Sequence, residues 1–161
     1  MKKIVAVVFV AALITTGAVF ILKNRNAGVA PVNQTSSGLA LQGYDAVAYF
    51  NESRATEGKQ EFSHEWNGAK WLFANSANRD AFTKEPEKYA PQFGGYCAWA
   101  VSRGYMANAD PQAWKIVDGK LFLNYNKDVQ KLWEEDIPGN IYKANQNWIT
   151  FQTKKPEHKG N

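Results

Sequence analysis

Few side chains in this sequence can do chemistry, and most of them gather in one stretch. The only cysteine, Cys97, stands two residues after the only Gly-Gly pair, Gly94-Gly95. Tyr96 precedes it and Trp99 follows closely. Residues 96–102 can run as one short helix, which Gly104 would stop. A thiol in the first turn of that helix faces unpaired backbone N–H groups and the positive end of the helix dipole, and both favour the thiolate. Such a thiolate would take a soft metal or an electrophile, with Tyr96, Gly94, Gly95 and Trp99 around the ligand. The competing expectation is plain packing: a small buried hydrophobe on a tight helix, with the glycines serving close approach.

His64 is the other candidate, on the same strand face as Phe62 and Trp66. Cys97 with His64 is the pair a soft-metal site would use, helped by Met106 or a second chain. Copper or another soft metal is the cofactor class that fits. Cys97, His64 and Asp45 could also form a nucleophile, base and orienting group, but such sets are recognised by geometry and linear spacing does not support this one. A structural zinc needs about four N/S ligands. One Cys and two His, with His158 in the tail, exclude it. There is no Gly-rich phosphate loop, Ser elbow or His-x-x-x-His pattern. Glu134, Glu135 and Asp136 read as a solvated helix end beside Lys127 and Lys131.

These residues must be held by the middle of a 161-residue chain whose ends differ from it. Residues 4–22 are free of charge and follow Lys2-Lys3. The run is longer than the apolar core of a cleavable signal and long enough to span a bilayer. Residues 1–23 therefore read as a signal anchor, with a cleaved signal peptide as the alternative. They put the rest in the cell envelope, facing the periplasm or the outside. Residues 24–38 read as a flexible linker, 39–151 as the folded domain and 152–161 as a disordered tail. The formal charge of +4 comes from the basic ends. Without them the domain is nearly neutral, which argues against nucleic-acid binding. No internal repeat stands out.

Inside the domain, Asn67-Gly68 and Asp118-Gly119 each separate two aromatic-rich runs, the strongest local signal for a hairpin. Residues 46–50 read as a short apolar strand. Ser76 reads as the N-cap of a helix ending before Pro86, and Asn126 as the cap of another. Asp110-Pro111 reads as the start of one helical turn, and Pro138-Gly139 as a break before a last helix over 141–148. Two short hairpins interleaved with several short helices make the expected class α+β.

Leu41-Gln-Gly-Tyr-Asp-Ala-Val-Ala-Tyr-Phe50, the run from Phe73 to Tyr89, Ala90-Pro-Gln-Phe-Gly-Gly-Tyr-Cys-Ala98 and Trp114-Lys-Ile-Val-Asp-Gly-Lys-Leu-Phe-Leu-Asn124 resemble exported proteins of the YHS-domain family. The likeness runs from about Leu39 to Trp148. Related metal-sensing modules supply thiolates from three positions, and this sequence has Ala48, Ala74 and Asn78 there. Alanine gives no lone pair and Asn is a weak ligand for soft metals. The resemblance thus implies an inherited scaffold with a dismantled metal site. The expected function is non-enzymatic binding of a soft metal or small ligand near Cys97. A thiol enzyme using Cys97 with His64, or an interaction module without chemistry, are the alternatives. Expected partners are the membrane, through the amino-terminal helix, and a small ligand or a partner protein.

Overall fold

Two hairpins set the frame of the computed structural model, which describes residues 29–153. Pro31–Thr150 form one compact unit; Met1–Ala30 with Phe151–Asn161 group separately and fall almost wholly outside the described residues. The expected anchor lies outside the described residues, as does the tail beyond residue 153. No helix among the described residues is long and apolar enough to cross a membrane.

The order is a 3₁₀ turn at Leu41–Gly43, α1 (Ala48–Asn51), β1 (Lys59–Trp66), β2 (Ala69–Phe73), α2 (Ser76–Lys84), α3 (Pro86–Tyr89), a second 3₁₀ turn at Gln92–Gly95, α4 (Ala98–Ser102), β3 (Asp110–Val117), β4 (Lys120–Asn124), α5 (Lys127–Glu134) and α6 (Ile137–Thr153). β1 pairs with β2 and β3 with β4, each antiparallel and each a sheet of its own. The class is α+β. Both hairpins turn on two residues of positive φ, Asn67 and Gly68 in one, Asp118 and Gly119 in the other. That backbone matches the twist of the strands, which is why Asn-Gly and Asp-Gly are chosen. Trp71, Phe73 and Phe82 are buried in the core. Phe82 meets Trp71 at 4.8 Å and Phe73 at 5.1 Å between ring centroids. Each such side chain contributes about 1.5–3 kcal/mol by leaving water.

The architecture repeats, contrary to the expectation from sequence. In the first hairpin Lys59 pairs with Phe73 and Ser63 with Leu72 across a bulge; in the second Asp110 pairs with Asn124 and Trp114 with Leu123 across a bulge in the same place. The 3₁₀ turns match as well. Leu41, Gln42 and Gly43 have positive φ, and so do Phe93, Gly94 and Gly95. Tyr44 donates back to the Leu41 carbonyl and Tyr96 to the Phe93 carbonyl. Asp45 N–H donates to Thr56 O and Cys97 N–H to Ala107 O. Asn75 caps α2 and Asn126 caps α5. Each half is thus a turn, a short helix, a hairpin and a capped helix. The shared sequence is one short run, Gly-Tyr-x-Ala-x-Ala at Gly43 and at Gly95, with isolated matches at Gly68 and Gly119, Leu72 and Leu123, and Asn75 and Asn126. Tyr49 of the first half ties them together, packing edge-on against Trp114 at 5.2 Å and donating its hydroxyl to Pro111 O at 3.0 Å.

Four local expectations need correction. The strand expected at 46–50 gives way to helix α1, because the Asp45 carboxylate accepts from Val47 and Ala48 and starts a helix there. An apolar run this short cannot distinguish the two by itself. Asn75, one residue before Ser76, is the cap of α2, its Oδ1 taking Asn78 N–H at 2.9 Å. Asp110 begins β3 instead of a helical turn. Pro138-Gly139 does not break the chain. The Asp136 carboxylate accepts from Gly139 N–H at 2.9 Å, so α6 starts at Ile137 with Pro138 in its first turn, where a missing N–H costs nothing.

Candidate functional site

α1 and α4 are too short to be stable alone. Each is started by one buried acceptor. In the first half this is Asp45, fully buried. Its Oδ1 accepts from Val47 N–H at 2.8 Å and Ala48 N–H at 3.2 Å. Its Oδ2 accepts from Ala74 N–H at 2.8 Å and from the Asn78 side-chain amide at 2.7 Å. Ala48, Ala74 and Asn78, the three positions the resemblance gives to metal thiolates, thus come together around one carboxylate. Four donors use both of its oxygens, so Asp45 is in no position to orient a histidine.

In the second half the corresponding acceptor is Cys97. It caps α4, and its sulfur accepts from Ala100 N–H at 3.5 Å, as Asp45 accepts from Ala48. The side chain is 1% exposed. Burial pushes the thiol above its ordinary pKa, against the backbone N–H groups of Ala100, Tyr125 and Trp99, which pull the other way. Desolvation of the anion wins over the helix end because α4 is a single turn with little dipole to offer. The thiol leans on Asn124, with Sγ 3.9 Å from its Oδ1, and that oxygen also takes Trp99 N–H at 3.2 Å. Two buried donors nearby in the chain, Asn124 Nδ2 and Trp133 Nε1, have no hydrogen-bond partner among the described residues. They occupy the places of Phe73 and Phe82, a pair of apolar rings in the first half.

The remaining sequence candidates disperse. Gly94 serves close approach: a Cβ there would strike the carbonyl oxygen of Pro31. Its own carbonyl accepts from Asn33 N–H at 2.8 Å. Tyr96 is half-buried with its ring 6.1 Å from that of Trp148, and burial raises its pKa. Trp99 lies under the Arg103 guanidinium, 5.1 Å from the ring centroid, with Tyr105 edge-on. His64 pairs with Trp71 in the first hairpin and its ring meets Phe82 at 6.3 Å. No hydrogen bond joins it to Cys97, whose partners all belong to the second half. Among the described residues no three His, Cys, Asp or Glu side chains converge to hold a metal ion.

Among the described residues the fold leaves open a cleft of about 120 Å³ where the halves meet, lined by Asn33, Gln34, Gln42, Gly95 and Asn108 over a floor of Leu41 and Leu123. A wider bay of about 320 Å³ continues it past Gln42 and Asn108 to Asp110 and Tyr125. Of the residues singled out by sequence, Gly95 lines this cleft. Cys97 is beside it in the fold, its backbone bridged to Leu123, but its side chain is sealed.

No family model, curated protein or solved structure matches this chain.

The cleft residues carried no sequence signal of their own. Asn33, Gln34 and Thr35 fall in what reads as linker, and Asn108 in an irregular loop. Gln42 was not singled out either, because its positive φ is visible only in the structure.

Proposed function

We propose that the chain is a YHS-like binding domain of the cell envelope, tethered by its apolar amino-terminal run, which holds a small ligand between its halves without catalysing a reaction. The observation that carries this reading is the division between an open cleft and a sealed thiol. Gly95 and five polar side chains line the cleft, and Cys97 lies behind it with its protonated form favoured. A nucleophile needs a thiolate and a base, and Cys97 has neither nearby. The YHS part of the reading is supported by the convergence of Ala48, Ala74 and Asn78 on Asp45, the three positions that would carry thiolates in the related modules.

The test is a thermal-shift screen of the full chain against small molecules and Cu(I), run on the wild type and on Cys97→Ala. The same compounds are expected to stabilise both proteins, because the thiol does not reach the cleft. Hits that vanish with the thiol, or stabilisation by Cu(I) in the wild type alone, would move the site to Cys97 and overturn the cleft.

A further inference from the structure

The chemistry of the cleft wall names a class of ligand. We infer that the cleft takes a neutral, polyhydroxylated ligand, a sugar ring or short uncharged glycan, which deepens the binding reading above and rests on it. The inner wall is made of carboxamides and one hydroxyl: Asn33, Gln34, Thr35, Gln42 and Asn108. A carboxamide offers donors and an acceptor together, which is what a hydroxyl, itself both donor and acceptor, needs in a partner. Two of the amides are already oriented by the fold. Gln42 Nε2 donates to Ala109 O at 2.8 Å and Asn33 Nδ2 to Gly95 O at 3.2 Å, leaving Gln42 Oε1 and Asn33 Oδ1 as fixed acceptors. The side chains of Gln34 and Asn108 make no hydrogen bond as donor or acceptor among the described residues and are exposed, so their valences are open to a ligand. Acceptors fixed before binding lower the entropic cost of capture.

Charge narrows the class further. Among the described residues no cation lines either part of the cleft, and the one charged group, Asp110, lies in the outer bay. Phosphates and carboxylates therefore meet no counter-charge and one repulsion. A single carboxylate is also half of what glycoside hydrolysis uses, so the site is built to hold and not to cut. The apolar part suits the C–H face of a sugar: Leu41 and Leu123 on the floor, and the Tyr125 ring, 57% exposed, along the bay. A half-wet aromatic with a polar tip is the surface on which such a face packs. The inner cleft is smaller than the roughly 300–1,000 Å³ of a drug-sized pocket, so it fits one ring while the bay takes the neighbouring unit. Backbone strain marks the same place. Gln42 keeps φ at 54°, where the second half uses Gly94. A side chain held in a conformation glycine would adopt more cheaply is a pointer to use.

The experiment follows the side-chain amide signals of Asn33, Gln34, Gln42 and Asn108 by NMR. The full chain is kept in a detergent without a sugar headgroup and titrated with chitohexaose, cellohexaose and maltohexaose. At least one of these is expected to shift the four signals together. Asn108→Leu and Tyr125→Ala, both at exposed positions, should each weaken binding about tenfold with the thermal midpoint unchanged. If an uncharged peptide shifts the signals and no hexasaccharide does, the ligand class is wrong and the binding cleft stands. If neither the hits of the thermal-shift screen nor the hexasaccharides nor the peptide shift these four signals, both readings fall.

Discussion

Cys97 stands in the second half where Asp45 stands in the first, and each starts a short helix by accepting the N–H three residues ahead, from Ala100 and Ala48. The acceptors differ in strength. A buried carboxylate with four donors is a strong, charge-assisted knot. A protonated thiol with one N–H at 3.5 Å is a weak one. The first half therefore has a stronger anchor at its short helix, while both halves share one packed core.

Removing the charge from the knot should show this difference. Asp45→Asn turns an amide N–H₂ towards N–H donors and is expected to cost about 2–4 kcal/mol, and Asn78→Ala about 1–3 kcal/mol. Cys97→Ala should cost about 1–2 kcal/mol, mainly as a lost sulfur contact. Urea denaturation monitored by tryptophan fluorescence measures all three. An Asp45→Asn protein as stable as Cys97→Ala would mean that the carboxylate is not the stronger anchor.

Alkali should loosen the fold in a set order. Burial raises the pKa values of Cys97, Tyr96 and Tyr49 in the folded state. All three are neutral acids, so the unfolded chain gives up its protons first. Their contribution is complete below the unfolded values, about 8.5 for the thiol and about 10 for the phenols, and declines as pH rises past them. Thermal midpoints should fall from about pH 8.5 upward. Cys97→Ala should flatten the first part of that decline and Tyr49→Phe the part above about pH 10. Parallel curves for wild type and Cys97→Ala would contradict a sealed, protonated thiol.

The glycines divide into those that a side chain would strain and those where it would also collide. At Gly119 φ is +71° and a Cβ meets nothing within 4 Å. At Gly94 φ is +60° and the same atom runs into Pro31 O. Gly119→Ala should cost about 1 kcal/mol through its backbone conformation. Gly94→Ala should cost about 2–4 kcal/mol, because strain and a main-chain clash act together. Equal losses would show that the Pro31 segment yields freely, and that the cleft wall carrying Asn33 is soft.

How far the fold could be read depended on whether a residue's signal was local. Asn67-Gly68 and Asp118-Gly119 demand positive φ by their own chemistry, so both hairpins were legible. Asn126 as a cap was legible for the same reason. Asp45 was not, because its role is set by Ala74 and Asn78, brought to it by the hairpin. Pro138 misled because the Asp136 carboxylate that makes it a starting residue lies upstream. The duplication was hidden in the sequence because the paired positions keep their backbone and change their side chains: Asp45 and Cys97, Phe73 and Asn124, Phe82 and Trp133. For the site, Gly95 was found through Cys97 by adjacency. The amides of the cleft were not found, since an isolated Asn or Gln reads as ordinary surface until a second segment faces it.

The duplication also bears on how the chain acquires its shape. Each half closes its hairpin, its turn and its capped helix with residues from its own stretch of chain, so the loops to be closed are short and their entropic cost is small. Short-range closure favours rapid folding over the slow search of interleaved strands. The carboxylate knot is complete by Asn78, so every partner that starts α1 is present before the second half is synthesised. The later half then brings Pro111 and Trp114 to Tyr49 and closes a single core to which both halves contribute.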